Sequence, residues 1–344
     1  MVAVVATASL CREWSPRAPR PPWLGRHNVH TVSGGSILVA VNAVAALPEL
    51  SPSTFFSEWE LAPLPLVLTV WAAGLYLLGV AKLRRRGDHW PIGRTLSFVV
   101  LGMGSFYVAT SSGLAAYDTV LLSVHMVQHM VLSMLVPLAL ALGAPVTLAL
   151  RTLPPAPRRG LLRVLHSWVA KVLSFPPLTF VLYVASPWAL YFSGWYDASL
   201  DSAYVHEMMH VHLVLVGSLF FWPLVGVDPI PGRVGYPFRM LLVALTLPFH
   251  AFLGVTIMGQ TRLIGGDWYP SLHAGPMGSW LPDPADDQNL AGGLLWAAGD
   301  LVGLVFFGVL FVQWVRSSMR EAEREDRRLD LLEARQRAED QGHG

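Results

Sequence analysis

Charge is scarce in this sequence and cysteine nearly absent. Only 14% of its 344 residues are Asp, Glu, Lys or Arg, where soluble domains carry about 25%. A surface so poor in charge is not dressed for water over its whole area, which excludes a soluble enzyme, a disordered chain and a nucleic-acid binder. The single cysteine, Cys11, rules out an intrachain disulfide and any cysteine-built zinc or iron–sulfur site. A bound metal would therefore rest on His, Met and carboxylates. Internal repeats, phosphate loops and nucleotide fingerprints are also missing.

What fills the chain instead is apolar: 53% of residues are hydrophobic, and the mean hydropathy is +0.47. A transmembrane helix needs about 20 mostly apolar residues. Seven stretches qualify, at 63–81, 95–112, 119–150, 173–192, 204–225, 239–259 and 290–315. Pro137 and Pro145 are expected to kink the long third stretch or end it early. The fourth begins beside Pro176-Pro177, and the sixth holds Pro248, a break that neighbouring helices can accommodate. The expected fold is an all-α polytopic transmembrane helix bundle with seven core helices.

Short cytoplasmic loops collect Lys and Arg. Lys82, Arg84, Arg85, Arg86 and Arg94 occupy the loop at 82–94, and Arg151, Arg158, Arg159, Arg163 and Lys171 the loop at 151–171. Arg233 and Arg239 flank the third loop of that side, and the tail from Arg316 is dense in arginine. The alternate loops, at 113–118, 193–203 and 260–289, hold Arg262 as their one basic residue, beside Asp197, Asp201, Asp267, Asp283, Asp286 and Asp287. This alternation places residues 50–62 outside and the C-terminus in the cytoplasm.

Residues 1–50 form an N-terminal extension in which Arg12, Arg17, Arg20 and Arg26 precede a short apolar run at 37–47. That run reads either as the core of a cleaved signal sequence, with Ala43-Val44-Ala45 as the small-residue site, or as an eighth helix. The long charged leader favours the uncleaved helix. Residues 51–315 then form the membrane domain. Residues 316–344, with Glu and Arg alternating at helical spacing, read as a charged, solvated cytoplasmic helix.

Six histidines fall inside the apolar stretches: His125, His129, His206, His210, His212 and His250. Ionisable groups in a membrane interior mark functional sites by default. At about 1.5 Å rise per residue, all six lie roughly 3–15 Å below the outer ends of their helices, so they converge on one half of the bilayer. His125 and His129 are spaced i,i+4, as are His206 and His210, and such pairs share a helix face. Met126, Met130 and Met134 run beside the first pair, Met208 stands i,i+4 with His212, and Met258 lies two turns beyond His250. Imidazole with thioether suits Cu(I), which soft ligands select. Two carboxylates join them: Glu207, and Asp300 in the seventh stretch, placed to accept from a histidine or to bind the ion. The candidate metal ligands are thus His125, His129, His206, His210, His250, Met126, Met130, Met258 and Asp300, with copper as the expected metal.

Two other readings use the same residues. His206-Glu207-Met208-Met209-His210 fits H-E-x-x-H, in which two histidines bind zinc and the glutamate is the general base of a metalloprotease. It lacks an evident third ligand, because Asp228 falls on the cytoplasmic side. Alternatively, imidazoles from the third and fifth helices could ligate a haem b in a membrane electron carrier.

The block at 122–151, with His125-Met126-Val127-Gln128-His129-Met130 and Leu142-Gly143-Ala144-Pro145-Val146, resembles the CtaG family of caa3-type cytochrome c oxidase assembly factors. Weaker supporting stretches are Arg84-Arg85-Arg86-Gly87, Thr110-Ser111-Ser112, Phe221-Trp222-Pro223, Asp228-Pro229 and Gly299-Asp300. The resemblance spans about residues 55 to 328. It implies a non-enzymatic protein of the bacterial plasma membrane that works with cytochrome c oxidase subunits in the lipid bilayer, through copper taken up at the outer face. The single-span, cysteine-containing copper chaperone that shares the CtaG name is a different protein.

Overall fold

Proline in the first turn opens several of the helices, at Pro63, Pro176, Pro237 and Pro284. The computed structural model describes residues 47–59 and 62–342, all helix, turn and loop without a strand among them. The apolar run at 37–47 lies, apart from Leu47, outside the described residues. Seven helices build the bundle: α1 (Pro63–Arg85), α2 (Ile92–Tyr117), α3 (Leu122–Thr152), α4 (Pro176–Tyr191), α5 (Ala203–Val225), α6 (Tyr236–Met258) and α7 (Pro284–Gly342). Six of them are long and apolar enough to cross a membrane. The exception is α4, where Pro176 and Pro177 open the helix three residues later than the apolar run suggests. Its 16 residues span about 24 Å, short of the roughly 30 Å hydrocarbon core.

The protein is therefore a multi-pass membrane protein. About half of the residues in the apolar segments of α2, α3, α5 and α6 are buried, whereas α1 turns most of its surface outward, to lipid. α6 and α7 pack along one another. α7 continues without a break from the apolar segment through the charged residues to Gly342. The two ends of the bundle differ in charge. One carries the Lys and Arg loops named above, and the other carries the loops around Asp118, Asp197, Asp201, Asp267 and Asp283; they are called here the basic end and the acidic end.

The course of α3 sets the site. Pro137 cannot donate to the carbonyl four residues back, and the helix prepares for it with a π-helical turn at Val131–Leu135. The carbonyl of His129 is taken by the Ser133 hydroxyl at 2.7 Å. The Ser133 carbonyl instead faces Gly217 of α5, where a Cβ would stand 2.1 Å from it; only glycine permits the approach. α3 then breaks at Gly143 and Ala144, the latter left-handed at φ 52°, and restarts on Pro145.

Both ends of the bundle are tied by carboxylates at helix starts. At the acidic end, Asp287 of α7 accepts from the Leu122 N–H at 2.6 Å, and also from the N–H and hydroxyl of Ser123. Those amides are otherwise unsatisfied, so the carboxylate both caps α3 and opposes its positive end. At the basic end, Asp228 accepts from the Thr147 N–H and hydroxyl at 2.7 and 2.6 Å and from the Trp222 indole at 2.9 Å. Its oxygens cap the restarted segment of α3, and Asp228 plays no part in the histidine site.

Candidate metal centre

His206 and His210 lie on one face of α5, and both are buried. Opposite them stands Asp118, a buried carboxylate in the turn between α2 and α3. One ligand atom from each of Asp118, His206 and His210 lies within 4.8 Å of the other two. The Asp118 carboxylate offers only acceptors, so His206 Nε2 donates to its Oδ2 at 2.9 Å. His210 Nε2 lies 3.8 Å from the same oxygen.

Gln128, on α3, holds this group in place. Its Nε2 donates to Asp118 Oδ2 at 2.8 Å and to the Ala109 carbonyl at 2.9 Å, which leaves its Oε1 to accept from His210 Nε2 at 3.2 Å. The Nδ1 atoms of His206 and His210 are enclosed without a hydrogen-bond partner. Two imidazoles and a carboxylate form a donor set of the kind that holds zinc or copper. An ion there would take the Asp118 lone pairs that now receive hydrogen bonds, and the imidazoles would ligate it through nitrogens that carry no proton.

An open cavity of about 590 Å³ leads to the triad from the acidic end, lined by Glu58, Asp118, Asp201, His206, Glu207 and His210. Four of these six are carboxylates, a lining that concentrates cations.

Deeper in the bundle lies His125, fully enclosed, with neither ring nitrogen bonded. Its ring packs against those of Tyr196 (5.0 Å between centroids), His129 (5.3 Å) and His206 (6.1 Å). The Tyr196 hydroxyl bonds that of Tyr269 at 2.6 Å, and burial raises both phenols, which stay protonated. His129 Nδ1 and the Tyr191 hydroxyl share a hydrogen bond at 2.9 Å, and the His129 Nε2 is enclosed and unpartnered; with the proton on Nδ1, donated to the Tyr191 oxygen, Nε2 keeps a lone pair. Unpaired buried polar atoms in such number are uncommon, and these nitrogens are available to a ligand.

The structure divides the histidines that the sequence groups together. His206 and His210 meet Asp118 at the open cavity, and His125 links them to His129. His250 lines a separate, enclosed cavity together with His129 and Met130. His212 donates to or accepts from Ser186 at 2.7 Å beside Trp195, on the side of α5 turned to α4. Met126 is fully buried in the apolar core, and Met258 is 39% exposed at the end of α6. Asp300 is half-buried on α7 with Oδ1 enclosed and unpartnered, and it lines neither histidine cavity. Asp118 and Gln128 are the residues the sequence reading missed. Gln128 was within reach, since it stands i+3 from His125 inside the quoted run.

A sequence model described as the cytochrome c oxidase caa3 assembly factor family matches residues 74–317. The chain belongs to this family. Its match covers α2 to α6, the second half of α1 and the membrane part of α7, and so includes the histidines of both cavities, Met130 and the lining carboxylates except Glu58. Curated relatives include uncharacterised proteins of Mycobacterium bovis and Mycobacterium tuberculosis, each 37% identical over 90% of this chain and 51% of their own length. A Mycobacterium leprae protein, also uncharacterised, is 37% identical over 80% of the chain and 42% of its own. The chain thus spans about half the length of the curated relatives it matches. No solved structure matches it.

Proposed function

We propose that this chain is a non-enzymatic assembly factor for a caa3-type cytochrome c oxidase in a bacterial plasma membrane, and that its cargo is copper. The acidic end faces outward and the C-terminus lies in the cytoplasm, a reading supported by the distribution of Lys and Arg. Copper enters the carboxylate-lined cavity, loses water on reaching Asp118, His206 and His210, and passes along His125 to His129. The observation that carries this reading is the continuity of the imidazoles, ring against ring from an open acidic cavity into the closed interior. Three protein ligands with an open side suit uptake and release better than a closed tetrahedral cage.

The test is copper content and oxidase activity together. Asp118→Asn and His210→Ala should purify with less copper and give membranes with less assembled oxidase, at equal amounts of inserted protein. Wild-type copper and oxidase in both variants would overturn the proposal.

One observation favours a second reading. Asp118 supplies the third ligand that His206-Glu207-Met208-Met209-His210 lacks in the sequence, and Glu207 lines the same cavity. A zinc hydrolase would then use Glu207 as its base. Glu207→Gln would abolish such an activity while metal stays bound, whereas copper delivery would persist. Haem fits less well: the rings of His125 and His206 are in edge contact, with no macrocycle plane between them.

A further inference from the structure

We infer that the enclosed cavity between His129 and His250 is a second ion site, selective for a monovalent soft cation, with His129 Nε2, His250 Nδ1 and the Met130 thioether as its ligands. The inference rests on the reading of copper as cargo and adds a destination inside the protein.

The cavity measures about 20 Å³ and lies where α3, α4, α5, α6 and α7 meet. About 10–15 Å³ of this kind of volume takes one water-sized body, so the space suits a single ion without its hydration shell. Three polar atoms of its lining residues are enclosed without partners: His129 Nε2, His250 Nδ1 and the Tyr183 hydroxyl. Met130 and His250 converge from different helices. Met130 Cε and His250 Cγ and Nδ1 all lie 3.2–3.3 Å from the point where a Cβ on Gly299 would stand. Gly299 thus gives both side chains room against α7.

The donor set decides the ion. Among the described residues no carboxylate lines this cavity, so a divalent cation would bring two uncompensated charges into an apolar interior, at high cost. A monovalent ion brings one, and thioether with imidazole selects Cu(I) among biological metals. The entry triad differs in kind, since Asp118 gives it a negative charge. The two sites form a series, a harder and open one followed by a softer and closed one, joined by His125 and His129.

The experiment uses the full chain in detergent with Ag(I), a closed-shell stand-in for Cu(I), measured by equilibrium dialysis and mass spectrometry of the metal. X-ray absorption at the silver edge reports sulfur in the coordination shell. Met130→Leu keeps the packing volume, and His250→Ala removes a nitrogen. Both should lose one equivalent of Ag(I), and the sulfur signal should vanish in Met130→Leu, while Asp118→Asn loses the other equivalent. Loss in the Met130 and His250 variants alone would support the inner site and overturn the entry triad as the uptake site. Loss in Asp118→Asn alone, with Met130→Leu and His250→Ala binding as wild type, would overturn the inner site and leave the proposed function standing. No bound Ag(I) in the wild-type chain would overturn both.

Discussion

Gln128 Oε1 stands 3.2 Å from His210 Nε2, while the amide nitrogen of the same side chain holds Asp118. One neutral residue on α3 therefore fixes both a carboxylate from a turn and an imidazole from α5. Gln128→Leu should leave the His210 N–H and an Asp118 oxygen short of a partner, at a cost of about 1–3 kcal/mol for a buried group left unpaired. Metal affinity should fall roughly 10–100-fold, as when outer partners of metal ligands are removed. Thermal melts in detergent and a metal competition titration check the two effects separately.

Asp287→Ala should loosen the start of α3. Removing a helix cap costs about 0.5–2 kcal/mol, and here the Ser123 hydroxyl also loses its acceptor. Amide exchange should speed up at residues 122–125, just before the first histidine. Asp287→Asn, which keeps an acceptor oxygen, should show a smaller change at the same amides. Unaltered exchange in Asp287→Ala would mean that the cap contributes nothing to α3.

Gly217→Ala should be among the most damaging small substitutions. Its methyl would stand 2.1 Å from the Ser133 carbonyl and 2.7 Å from Pro137 Cγ, so α3 and α5 must part. Overpacking of this kind costs about 1–3 kcal/mol or more. Gly293→Ala is the control, since nothing lies within 4 Å of the added methyl. A lower melting temperature for the first variant and an unchanged one for the second is the expected pair of results.

Reporter fusions check the orientation used above. A reporter after Arg159 should be cytoplasmic and one near Ala274 exported. An exported reporter at Arg159 would put the acidic cavity on the wrong side for copper arriving from outside.

The helices were legible in the sequence because about 20 apolar residues in a row leave the backbone few other ways to satisfy its hydrogen bonds in lipid. The i,i+4 pairs His125–His129 and His206–His210 were legible for the same local reason, since spacing alone sets a shared face. What spacing cannot give is how helices are rotated against each other. His250 therefore looked like a member of the group at His206, whereas packing of α6 on α7 turns it toward Met130. Asp118 escaped notice because it lies outside the apolar stretches, where an aspartate reads as loop charge. The turn after Tyr117 folds it back beneath the bundle's surface. Met258 has the right residue type and depth, but it sits on the exposed side of its helix.

α7 has one more consequence. Between Gly308 and Gly342 it contains neither glycine nor proline, and the 27 residues beyond Val315 extend it about 40 Å past the apolar segment at 1.5 Å per residue. It is a stiff shaft rather than a tether. Its near end carries Asp287, the clamp on α3, and its apolar segment carries Gly299, against which His250 and Met130 rest. A protein that grips the far end has a long lever arm on both, and a small tilt imposed there is felt where the histidines sit.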